Sequence, residues 1–168
     1  VLLGDCTGHG VPGALMAMTV LSQLQSLDHA EIKDPADLLT RLNQQLRVTL
    51  AKNRPETVAD DGLDLVAVQA VPHLSSGSGD EAKAYEILWA GAKLGLYHQS
   101  GDNISYFRGD RTSIGYRRSD NNFVYRSRRL AVKPGDRLFL TSDGIIDQNG
   151  GGKGFSWGRR RFLETLRS

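Results

Sequence analysis

Apolar positions along the chain fall into two rhythms. The first 51 residues carry helical spacing, and most of the remainder carries short strand-like runs. "VLLG" (1–4) is an apolar run ending in glycine, the pattern of a short buried strand. Residues 11–27 predict a helix, with Pro12 suited to its first position. Ala14, Leu15, Met18, Leu21, Leu24 and Gln25 recur at roughly 3.6 residues and define the expected inward stripe, extended by Leu27. Met16 and Met18 are both expected in the core. A second helix is predicted over 35–51, with Asp34 as N-cap, Pro35 at the first position, and Leu38, Leu39, Leu42, Leu46 and Leu50 facing inward.

From residue 63 the period changes. "LDLVAVQAV" (63–71) is strand-like and is followed by "PHLSSGSGDEA", a Ser- and Gly-rich loop. "AYEILWAG", "KLGLYHQ" and "ISYFRG" are short runs punctuated by glycine, the signature of an antiparallel meander. "NFVYRSRRLAV" and "DRLFLTSDG" predict two further strands joined by a turn at "KPGD", and 157–167 predicts a closing helix. Helices beside antiparallel strands point to an α+β fold in which sheet layers carry helices on their faces.

Composition narrows the class. The chain has 168 residues, one ordinary domain, with 39% hydrophobic and 24% charged residues, which excludes disorder. No apolar run approaches the ~20 residues of a membrane span. One cysteine supports no disulfide framework and leans towards a reducing, cytoplasmic setting. A net charge of +2 is too weak to signal nucleic-acid binding. The opening strand-to-turn and the closing "GRRRFLETLRS" read as a piece of a longer chain, truncated at both ends.

Chemistry concentrates in "GDCTGHGVPGALMAM" (4–18), where an acid, a thiol, a hydroxyl, a histidine and four glycines crowd one turn. Three readings compete: Cys6 and His9 as nucleophile and base; Asp5 as an oxygen ligand beside glycine-exposed carbonyls; or Asp5 merely capping the helix. A second segment favours the metal reading. "LFLTSDGIIDQ" (138–148) repeats the grammar of an apolar strand ending in Asp-Gly, at Asp143-Gly144. Two strand ends that both present a carboxylate suit Mg²⁺ or Mn²⁺ rather than zinc.

Together, "GDCTGHGVPGALMA" and "VKPGDRLFLTSDGIIDQ" resemble the metal-dependent protein phosphatases of the PPM (type 2C) family, in its bacterial SpoIIE-type branch. "ILWAGAKLGLYHQSGD" and "GFSWGRRRFLETL" are similar to further elements of that family, so the resemblance spans nearly the whole chain, 1–168, as a single domain. It implies two antiparallel β-sheets flanked by helices in α-β-β-α layers. It implies two Mg²⁺ or Mn²⁺ ions, with Asp5, the Cys6 main-chain carbonyl and Asp143 as metal ligands. It also implies that Asp5 and Asp143 are catalytic, with His9 as the proton donor to the leaving hydroxyl.

The implied substrate is a phosphorylated regulatory protein of the anti-anti-sigma type, hydrolysed by an activated water. A sensor domain in the parent chain, a possible homodimer and no membrane insertion of this segment complete the expectation. A catalytically idle binding module of the same fold is the rival. The family's earlier strand pair and final strand, each with a further acidic ligand, have no counterpart in the sequence, and Ala-Gly-Ala stands at 90–92 where relatives often read Ala-Gly-His. Asp60, Asp61, Asp64 and Asp147 are left between metal-related and solvated roles. Arg117, Arg118, Arg126, Arg128, Arg129 and Arg159–Arg161 are left between a docking face and a solvated one. "RGD" (108–110) is expected to be a plain turn. Because the 11–27 helix begins at the Asp5 turn, its displacement is expected to gate metal binding.

Overall fold

The computed structural model describes residues 1–52, 61–72, 85–117, 119–120, 122–149 and 155–167. Asp60, Arg118 and nearly all of the Ser/Gly-rich loop lie outside them. The elements run β1 (Leu2–Cys6), α1 (Gly10–Ser26), α2 (Pro35–Lys52), β2 (Leu63–Pro72), β3 (Tyr85–Ala92), β4 (Leu96–Ser100), β5 (Asn103–Phe107), β6 (Arg128–Val132), β7 (Arg137–Leu140), α3 (Asp143–Ile146) and α4 (Gly158–Arg167). They form two antiparallel sheets, one ordered β1-β2-β3-β6 and one ordered β5-β4-β7.

Side-chain alternation sorts the core into two slabs. On β2, Leu63, Leu65 and Ala67 face the helices, joining Met16, Val20, Leu39, Leu42 and Leu46. Val66 and Val68 point the other way and meet Ile87, Trp89, Leu96, Leu138 and Leu140 between the sheets. α4 covers the outside of the second sheet, where the Phe162 ring packs edge-on against Tyr97 at 5.1 Å. The layers are therefore α-β-β-α.

α2 forms as its sequence dictates. The Asp34 carboxylate accepts the Ala36 and Asp37 N–H groups at 2.8 and 2.9 Å. Leu39, Leu42 and Leu46 are fully buried, with Leu38 and Leu50 at the margin.

Three expectations are corrected. Part of the stripe assigned to α1 faces solvent: Leu15, Met18 and Leu21 are 59%, 67% and 58% exposed, while Leu24 and Leu27 pack into the helix-side core as expected, together with Met16 and Val20. The helix is apolar nearly all round, so spacing alone does not select a face; contact with the sheet does. The meander is also broken. β3 pairs with β2 and β6, whereas β4 pairs with β5 and β7, so the chain changes sheets between Ala92 and Leu96. Gly91 and Gly109 make that crossing feasible, since a Cβ on either would lie 2.0 or 2.2 Å from the Leu94 carbonyl oxygen. The strand expected over 122–132 is regular only from Arg128.

Candidate functional site

β1 and β2 pair with Asp5 opposite Asp64, so both carboxylates project from the same face. Two rungs along the ladder, Leu3 and its partner Val66 lie between the sheets, which places the two acids at the open end of that interlayer. β7 belongs to the facing sheet, and the chain leaving it turns directly into α3 at Asp143. The two strand ends that each carry an Asp beside a Gly, Gly4-Asp5 and Asp143-Gly144, thus arrive at one place from opposite sheets.

They meet closely. The proton affinity of Asp5 is raised first by burial and then by the Asp143 charge, with an Asp5–Asp143 side-chain hydrogen bond and the Asp64 charge adding to it. Ser142 opposes this by donating its hydroxyl to Asp5. Ser142 holds the N-cap position of α3 yet makes no capping bond with its side chain. This residue was not singled out from the sequence; the Ser-Asp order after an apolar strand was the available signal. Asp64 Oδ1 is buried without a hydrogen-bond partner.

The glycines of the first motif have a mechanical role. Gly8 adopts φ +93°, and a Cβ on Gly13 would lie 2.7 Å from the Gly8 carbonyl oxygen. The turn therefore folds tightly onto the first turn of α1. Thr7 fastens it: its N–H and hydroxyl donate to the Gly62 carbonyl at 3.0 and 2.6 Å, and the Gly62 N–H donates back to Oγ1 at 2.7 Å.

The other candidate residues sort by environment. Cys6 turns towards the helix-side core, and burial followed by the Asp5 charge pushes its thiol up from the ordinary value, which makes it a poor nucleophile. His9 is the exposed N-cap of α1 and makes no side-chain capping bond. The simple capping reading of Asp5 does not describe this geometry. Asp147 is the C-cap of α3, its N–H bonded to the Asp143 carbonyl at 2.8 Å. Arginines divide between exposed and structural. Arg128 binds Asp110 at 2.7 Å while stacking over Trp89, and Arg129 pairs with Glu86. Asp110 of "RGD" is thereby held inward.

The donor set is two adjoining carboxylates, a third beside them and main-chain oxygens, which fits a hard divalent cation such as Mg²⁺ or Mn²⁺. Among the described residues, no group of three His, Cys, Asp or Glu side chains converges on one point. No described helix is long and apolar enough to cross a membrane.

Comparison with known proteins places the chain in a family. The family model for stage II sporulation protein E (SpoIIE) matches residues 1–168. The PP2C domain of SiaA from Pseudomonas aeruginosa is 32% identical, with a TM-score of 0.72 over 99% of this chain and 60% of that one. The phosphatase domain and regulatory fragment of SpoIIE from Bacillus subtilis is 18% identical, with a TM-score of 0.62 over 99% of this chain and 43% of that one. A bacterial serine phosphatase carrying a point mutation is 16% identical, with a TM-score of 0.58 over 99% and 70%. No curated protein matches. The chain spans about three-fifths of the SiaA structure and less than half of the SpoIIE one. With the family model matching its whole length, this chain belongs to the SpoIIE family of PP2C-type phosphatase domains.

Proposed function

We propose that the chain is the core of a metal-dependent protein serine/threonine phosphatase. Asp5 and Asp143, with the Cys6 main-chain carbonyl, would hold two Mg²⁺ or Mn²⁺ ions. The carrying observation is the convergence of these carboxylates from facing sheets at a cost in like-charge repulsion. A half-buried acid, Asp5, kept in contact with a second, exposed one is costly unless a cation offsets their charge.

The chemistry such ions supply when bound is acidification of the attacking water and neutralisation of phosphate charge. The chain's own residues do the rest. Ser142 fixes the Asp5 carboxylate through its hydroxyl. The Thr7–Gly62 bonds hold the Cys6 peptide in place. His9, exposed at the head of α1, takes the role of proton donor to the departing seryl or threonyl oxygen. The substrate in this reading is a phosphorylated regulatory protein of the anti-anti-sigma type. The domain works in the cytoplasm as part of a longer chain carrying a sensor domain, and a homodimer is compatible with it.

A second reading, an idle binding module, draws on the lack of a third converging ligand side chain among the described residues. Phosphate release from a phosphoprotein by the full-length parent, measured against manganese concentration, separates the two. The enzyme shows saturable metal dependence, and Asp143→Asn lowers turnover at least about 100-fold. Absence of metal-dependent release supports the binding module. Alkylation of Cys6 leaves a metal phosphatase active and silences a cysteine hydrolase.

A further inference from the structure

Beside the carboxylate pair lies an open cavity of about 590 Å³, with Lys93, Arg111, Thr112, Ser113 and Tyr116 in its lining. We propose that it is a docking subsite for an acidic side chain adjoining the phosphorylated residue of the substrate protein. This rests on the phosphatase reading above.

The position is set by the sheet. Lys93 directly follows Ala92, whose ladder partner Leu65 directly follows Asp64. Tyr116 reaches from the cavity wall to Thr7, with its hydroxyl 3.3 Å from Thr7 Oγ1, two residues from Asp5. A peptide with its phosphate at the Asp5–Asp143 pair can therefore run along this end of the sheet to the cavity, about two strand spacings away.

The cavity's chemistry is that of an unfilled anion site. Neither Lys93 nor Arg111 has a carboxylate partner among the described residues. The acid next to Arg111 in sequence, Asp110, is taken by Arg128 Nη2 at 2.7 Å and the Arg126 N–H at 2.9 Å, so it does not quench the charge. Ser113 is 4% exposed, and its Oγ has no hydrogen-bond partner, which leaves a buried hydroxyl on the wall. Lys93 is held at φ +58°, a conformation that non-glycine residues seldom adopt. It is pinned there by its N–H on the Asp110 carbonyl at 2.7 Å. Strain retained at a cavity wall is characteristic of binding sites. Asp120 also lines the cavity, but its Oδ1 is engaged by the Asn122 N–H at 2.9 Å. Two cations against one acid suit a single carboxylate rather than a polyanion.

The test uses two phosphoserine peptides that differ only in Asp or Asn flanking the phosphoserine. Their binding to the full chain with Mn²⁺ is followed by fluorescence anisotropy. The acidic peptide should bind about fivefold to tenfold more tightly, and 0.5 M salt should erase most of the difference. The Lys93→Asn, Arg111→Gln double variant should reduce the preference below about twofold; Asn tolerates the left-handed backbone at 93. Lys93→Arg should retain it. Equal binding of the two peptides by the unaltered protein, or a preference that survives the double substitution, overturns the subsite. Turnover of para-nitrophenyl phosphate is read separately. Its failure in the unaltered protein counts against the phosphatase reading, while the peptide comparison still decides the subsite.

Discussion

The Asp5–Asp143 contact concentrates the energetics of the site in one residue pair. Without a cation, burial and then the Asp143 charge raise the cost of ionising Asp5. Asp5→Asn should therefore raise the melting temperature of the metal-free protein at neutral pH, while removing any stabilisation by manganese. Thermal melts with and without Mn²⁺ check both halves, and a destabilised Asn variant would contradict this account.

Asp136 is the opposite case. The Lys133 N–H, followed by the His98 and Ser100 side chains, holds its carboxyl down at about 2, with His98 Nε2 at 2.8 Å. A lowered folded value means that stability is present above the unfolded carboxylate range and is lost as pH falls from about 4 towards 2. Melts across that window should show a steep loss in the unaltered protein and a shallower one in Asp136→Asn. The Gly4-Asp5 and Asp143-Gly144 motifs were legible in the sequence because an acid at a strand end stands out against apolar neighbours. The Ser142 bond and the Lys93 backbone were not, since both depend on partners far away along the chain.

Among the elements, α2 and α1 show when periodicity suffices. In α2 the polar residues leave a single apolar face, and the buried leucines are those the spacing selects. α1 offers apolar residues in every direction, and the sheet chooses Met16 and Val20 over Leu15 and Met18. Met16→Ala should thus cost about 2–5 kcal/mol in chemical denaturation, whereas Leu15→Ala should stay within about 0.5 kcal/mol. Exposed yet sited on the helix that leaves the Asp5 turn, Leu15 is also a clean probe of gating. Its substitution should shift the manganese concentration for half activity without loss of fold; an unchanged midpoint would argue against gating. The β3–β4 crossing escaped sequence reading because a glycine-punctuated run looks the same whether the next strand returns to its own sheet or crosses to the facing one. Gly91→Ala, which forces a Cβ against the Leu94 carbonyl, should cost at least about 1–3 kcal/mol.

At the scale of the molecule, helices against sheet layers were legible in the succession of helical and strand-like segments, the α-β-β-α order came from the family resemblance, and the assignment of strands to sheets came from neither. Leu2, Leu138 and Leu140 border one apolar hollow of about 380 Å³, so β1 and β7, the outer strands of their respective sheets, lie on the same flank. Among the described residues, the outward edge of each has no ladder partner. Such a flank is a template: rows of free amides and carbonyls, backed by greasy side chains, invite any extended peptide to add on. In concentrated solution the isolated chain should therefore self-associate through these borders, with light scattering rising steeply with concentration, and a lysine in place of Leu2 should blunt the rise.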